Sequence, residues 1–466
     1  MSAPESPPRP ARLWSSEHSA HTIAVMIPIL DLSRHSDRDH VEKLWQELRL
    51  NPRRLALAEG RYAHDIAAVN RIIADVAELG DEAVVENARR FDFPEFTADM
   101  IRVKSQEMAE ATARVPSELM DALRRSIAQV REYQEHIFPK DVAPLKRGGV
   151  ELGLRFTPLD SVGLYFPGGK AAYPSSLIML AVPAQVAGVR RIVVCTPPSK
   201  YGRSDLVLAA CHELKLTHVC RAGGAAAVAA MAFGTPSIPA VDKIVGPGNL
   251  FVQLAKRALS GSVGVDGFLG PSEILTIADD SGVPKFIAAD LIAQAEHDPG
   301  SCFLLTTSSA LAGAVAAEIG AQMVSRHRAV AIHKALKGHS AIIVDPSMDA
   351  LIALANRFAA EHVNIQVREP DSVLKKLTHA GAVFVGPWSP VAAGDYVAGP
   401  SHCLPTNTTA RFSSGVSVYE FLKRSSVVTY DQAGLAADAS AIISLANAEG
   451  LDGHAASIET RNAKST

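Results

Sequence analysis

Apolar residues Ile66, Val69, Ile72, Ile73 and Val76 recur at helical spacing until Gly80, which predicts an amphipathic helix with a glycine stop. A second helix is expected from roughly Pro116 to Tyr133, so the front of the chain reads as α-helical. From Val162 the pattern changes to short apolar runs separated by amphipathic stretches, the signature of crossover units on a parallel sheet. Gly163–Phe166, Arg191–Cys195 and Lys243–Val245 form one set of expected strands, with Pro174 placed as the first residue of a helix. Ile274–Ile277, Phe303–Leu305, Ala341–Val344 and Ala382–Val385 form a second set. Two sheets, each wrapped by helices, are the architecture this pattern implies.

A chain of 466 residues exceeds one ordinary core, so several domains are expected. Its 47% hydrophobic and 20% charged residues suit a globular protein. A net charge of −3 with no long basic run gives no reason to expect nucleic acid or an anionic membrane as partner. No apolar run reaches the ~18 residues of a membrane span. The proline- and serine-rich head, Met1 to about Ala20, reads as disordered, and Ile23–Leu30 is a poor signal peptide because Pro28 interrupts it. A cytoplasmic enzyme acting on a small molecule fits this balance. Five cysteines without a Cys-x-x-Cys pair suggest neither a disulfide framework nor a thiolate metal site. Cys302 invites a reading as a thiol nucleophile, but its flanks, Ser301 and Phe303-Leu-Leu305, place it in a buried strand.

Candidate chemistry gathers in Gln294-Ala-Glu-His-Asp298, Glu361-His362, Asp395-Tyr396, and Glu449 with His454. Gln294 and His297, three apart at the end of a helical run, leave one face as neighbours. Taken alone, such a pair is far more often a solvated helix face than a pair of metal ligands. Glu361 and His362 read as the charged end of a helix running through Leu351, Leu354 and Phe358. No Gly-x-Gly-x-x-Gly fingerprint occurs, but two glycine-rich turns follow strands, Pro167-Gly-Gly169 and Gly246-Pro-Gly-Asn249. Each is either an ordinary turn or a backbone cradle that aims a helix N-terminus at an anion.

These segments, together with Gly163-Leu-Tyr-Phe-Pro-Gly-Gly169, Tyr173-Pro-Ser-Ser176, Gly270-Pro-Ser-Glu273, Ala410-Arg-Phe-Ser-Ser414 and Phe421-Leu-Lys-Arg-Ser-Ser426, make the chain resemble the histidinol dehydrogenase family from about Arg61 onward. The resemblance implies an α/β fold of two incomplete Rossmann-like domains, one inserted in the other, with small helical terminal segments. Carried onto this chain, residues 165–272 are the inserted NAD-binding domain and 58–164 with 273–416 the larger domain. Residues 1–57 are the disordered head and a helical N-terminal segment, and 417–466 a tail crossing to a second subunit of a homodimer with shared active sites. The resemblance further implies zinc held by Gln294, His297, Asp395 and His454, with Glu361 and His362 as the acid/base pair. It places NAD on Tyr165 and Asn249, and substrate on Ser272, His402 and Glu449. The implied reaction takes a primary alcohol through an aldehyde to a carboxylate, with L-histidinol as the first substrate to consider.

The chain departs from the family's usual text at Ala226, where a Gln contacting NAD is common, at Val391, where Glu is usual, and at Gly267 and Leu269. These departures leave two other expectations open. One is a divergent homolog oxidising another small alcohol such as a sulfonated diol, and the other is a non-catalytic zinc- or metabolite-binding protein.

Overall fold

Short apolar runs become parallel strands here because helices cover both faces of the sheets they join. The computed structural model describes residues 27–49, 51–140, 142–168, 171–267, 270, 272–297 and 300–462. Residues 1–26, Gly169, Leu269 and Asp298 lie outside the described residues. Fourteen strands, numbered along the chain, fall into two compact units among the described residues.

The first unit takes the described residues up to Ala67, then Gly267–Tyr396 and Leu404–Gly415. Its sheet has the order β1 (Ile29–Asp31), β11 (Ala341–Val344), β10 (Gly300–Thr306), β9 (Ser272–Ala278), β12 (His362–Gln366) and β13 (Ala382–Val385). All its pairings are parallel. Successive side chains leave opposite faces. Ile274 therefore joins Leu291, Val315 and Leu336 on one side, while Leu275 joins Leu44, Leu351 and Phe358 on the other.

The second unit comprises Ala68–Asp266, Val397–Cys403 and the described residues from Val416. Its parallel sheet runs β6 (His218–Arg221), β5 (Arg191–Thr196), β4 (Ser161–Tyr165), β7 (Lys243–Val245) and β8 (Gly264–Val265). A separate antiparallel sheet joins β14 (Leu422–Tyr430), β3 (Val150–Pro158) and β2 (Leu145–Arg147). The chain leaves the first unit at Ala67 and re-enters it at Gly267, so one parallel-sheet unit interrupts the other. The early helices, expected with the larger domain, group with the five-stranded sheet. Asp81–Phe91 packs on Gly224–Phe233, Ser105–Arg114 on Asp205–Glu213, and Ser117–His136 on Pro174–Ala187.

Two expectations are corrected. The front of the chain is not purely helical, since β1 enters the six-stranded sheet and β2 and β3 precede β4. Glu361 and His362 do not end a helix. The helix Met348–Phe358 stops at Ala359, whose φ of +47° is left-handed, and His362 opens β12. Among the described residues no helix is long and apolar enough to cross a membrane.

Candidate active site

In the first unit, six of the singled-out residues collect at or beside one edge of the sheet. The helix Pro284–Ala295 returns from the end of β9 to the start of β10, which brings Gln294 and then His297 to the amino ends of the strands. The return is tight. A Cβ on Gly300 would lie 2.4 Å from the Gln294 carbonyl oxygen, so glycine lets β10 start directly under the helix end. Ser272 opens β9 opposite Gly300, and His362 opens β12 opposite Ile274. Asp395 sits on the helix Val391–Tyr396, which packs against Pro284–Ala295, and its charge acts on Glu361.

Glu273 connects Glu361 and His362, a link that reading the sequence did not assign. Its backbone N–H donates to Glu361 Oε2 at 2.9 Å, and its carbonyl oxygen lies 3.0 Å from His362 Nδ1. A carbonyl only accepts, so Nδ1 carries a proton, and in the neutral form of His362 the lone pair lies on Nε2. Glu361 Oε2 lies 3.4 Å from the same Nδ1. Burial drives the Glu361 carboxyl well above the usual carboxylate range, the Glu273 N–H opposes this, and the nearby Glu273 and Asp395 charges add to it. Glu273 itself is 1% exposed. Burial raises its carboxyl to about 8, although the Asn407 N–H donates to Oε1 at 2.6 Å. The signal in the sequence was a carboxylate at the head of the apolar run Ile274–Ile277, where a strand of this type is buried on both faces.

Gln294, His297 and Asp395 suit zinc in donor chemistry, as nitrogen and oxygen ligands from one helix end and the helix packed on it. Gln294 is buried with its amide nitrogen lacking a hydrogen-bond partner among the described residues, and its Oε1 is the atom that could ligate a metal. Among the described residues no three His, Cys, Asp or Glu side chains converge to hold a metal. Cys302 is buried in β10, donates to the Leu291 carbonyl, and has its thiol pushed up to about 12 by burial, so a nucleophilic role does not fit.

The second unit presents a different edge. Strand order reverses between β4 and β7, and nucleotides bind parallel sheets at the carboxyl ends of strands beside such a switch point. Tyr165 ends β4, is buried, and accepts a hydrogen bond from the Gly224 N–H through its hydroxyl. Burial raises its phenol above the ordinary range. Gly246 follows β7 with φ +127°, and a Cβ there would lie 1.9 Å from the Tyr165 carbonyl oxygen. Asn249 caps the helix Leu250–Leu259, its Oδ1 accepting from the N–H groups of Phe251 and Val252. This glycine-opened cradle at a switch point fits a dinucleotide phosphate. His402 Nε2 lies 2.9 Å from Ser176 Oγ, whereas Glu449 and His454 are exposed near the junction of the last two helices.

A family model described as histidinol dehydrogenase matches residues 58–462. The chain belongs to the histidinol dehydrogenase family. A histidinol dehydrogenase of Gluconobacter oxydans (strain 621H) is 44% identical over 409 residues, 87% of this chain and 95% of its own. One from Geobacillus kaustophilus (strain HTA426) is 46% identical over 396 residues, 84% and 93% of the two chains. The crystal structure of histidinol dehydrogenase from Elizabethkingia anophelis superposes with a TM-score of 0.86 at 32% identity, covering 94% of this chain and 98% of that one. Histidinol dehydrogenases are NAD-dependent oxidoreductases that use zinc. Of the departures from the family's text, Val391 is 3% exposed in the apolar core beside Ile292, and Ala226 is buried in Gly224–Phe233.

Proposed function

We propose that this protein oxidises L-histidinol to L-histidine, a reaction of histidine biosynthesis, with zinc and NAD. Alcohol, one water and two NAD+ give the carboxylate, two NADH and three protons. The observation that carries this reading is the buried Glu361–His362 pair, bridged by the peptide of Glu273. His362 Nε2, with its lone pair fixed by the Nδ1 bond, takes the hydroxyl proton as hydride departs. Glu361, once ionised in dry surroundings, is a stronger base than a carboxylate in water and draws a proton from the water that adds to the aldehyde. Tyr165 and Asn249 would hold NAD, which would supply the hydride acceptor for both oxidations. Zinc, when bound, supplies a Lewis-acidic anchor for the far end of the substrate.

The ligands would be Gln294, His297 and Asp395, with His454 contributed by a second copy in a homodimer. Glu449 would pair with the substrate ammonium, and Ser272 and His402 would hydrogen-bond to it. A small-molecule substrate, a cytoplasmic setting, and the absence of nucleic-acid and membrane partners complete the proposal. A sulfonated diol as substrate draws little support, because Val391 and Ala226 meet apolar packing. Glu361→Gln tests the division of labour. Histidinal oxidation should fall at least ~100-fold while single-turnover formation of the first NADH from histidinol persists. Equal loss in both steps would contradict it.

A further inference from the structure

The turn Gly246-Pro-Gly-Asn249 is held from one face of the helix that follows it. Asn249, Gln253 and Lys256 stand four and three residues apart, so their side chains line one face. Asn249 caps the helix, and Gln253 Nε2 donates to the Gly248 carbonyl at 3.3 Å. Lys256 Nζ donates to the Gly246 carbonyl and to Asp266 Oδ1, the latter at 2.6 Å. The other carboxylate oxygen, Asp266 Oδ2, accepts the Gly246 N–H at 2.6 Å. One ion pair thus grips Gly246 by both of its backbone polar groups. Its side chains are only 3% and 1% exposed. A buried ion pair is a poor way to gain stability, since apolar residues of similar size do as well, so its retention calls for a geometric reason. That reason is available. Gly246 holds a φ of +127° against the Tyr165 carbonyl, a conformation that glycine adopts freely and can as freely leave unless its backbone is held, and it begins the cradle beside the switch point.

We propose that Lys256 and Asp266 are positioning residues for NAD, setting the Gly246–Asn249 turn so that its backbone receives the dinucleotide. This rests on the reading of the turn as the NAD site. It is tested on full-length zinc-loaded protein by measuring NAD binding calorimetrically, with thermal unfolding and KM for NAD alongside. Lys256→Met strands a buried carboxylate and should lower the unfolding temperature. Lys256→Met/Asp266→Asn removes both charges and should recover most of that loss. If the pair positions the turn, the double variant still binds NAD at least tenfold more weakly than wild type, and KM for NAD rises more than kcat falls. Recovery of NAD affinity together with the unfolding temperature would make the pair merely structural and overturn the proposal. Asn249→Ala separates the two layers of the argument. If it weakens NAD while the double variant binds normally, the clamp is wrong and the site stands. If it leaves NAD affinity unchanged, the turn is not the NAD site and both fall.

Discussion

Glu273 shows how one peptide can set the chemistry of two neighbours. Its N–H faces Glu361 and its carbonyl fixes the His362 tautomer, while its own buried carboxyl is raised from 4.5 to about 8. A carboxyl held protonated by the fold contributes its full stability below 4.5. It loses that contribution as pH rises toward 8, because the unfolded chain sheds its proton first. Glu273→Gln carries no such titration. Its unfolding temperature relative to wild type should therefore be more favourable at pH 8 than at pH 5, and a constant difference across that range would contradict the buried neutral carboxyl. At this scale the sequence disclosed residue types and, through resemblance, suggested roles for Glu361, His362 and four candidate zinc ligands. It could not disclose Glu273, because that function lies in backbone atoms whose partners sit about 90 positions away.

Parallel strands were the most legible elements, since burial on both faces writes them as continuous apolar runs. Lys243–Val245, Ala341–Val344 and Ala382–Val385 occur with the bounds read from their apolar runs, and Pro174 does start its helix. Strand β12 was hidden because it follows a helical run almost directly, with only three residues, the first the left-handed Ala359, separating Phe358 from His362. The β14-β3-β2 sheet was missed because β14 is largely exposed and carries no clean alternation. Among the turns, Gly246 is the least replaceable. Gly246→Ala would push a Cβ to 1.9 Å from the Tyr165 carbonyl at a φ of +127°. A destabilisation of roughly 3 kcal/mol is expected, with loss of NAD affinity, and denaturant unfolding beside calorimetry would measure both. An alanine variant as stable as wild type would show that the backbone there is free to relax.

For the whole molecule, the chain carries Glu361, His362, Gln294, His297 and Asp395 in one unit and His454 on an exposed tail helix of the other. A homodimer with shared sites makes a distinctive demand. Glu361→Gln and His454→Ala chains, each inactive alone, should on mixing regain about a quarter of wild-type activity, because each mixed dimer assembles one intact site. No recovery after verified subunit exchange would place His454 outside the partner's site. His454→Ala alone should lower zinc content, measured by metal analysis of the purified protein. The measurement that tests the central claim most directly is a count of NADH and histidine formed from L-histidinol by the zinc-loaded enzyme. Two NADH for each histidine, with no free aldehyde accumulating, is the result expected if Glu361 and His362 act in turn on one bound substrate. One NADH with released aldehyde, or no turnover of histidinol by protein shown to hold zinc and bind NAD, would contradict it.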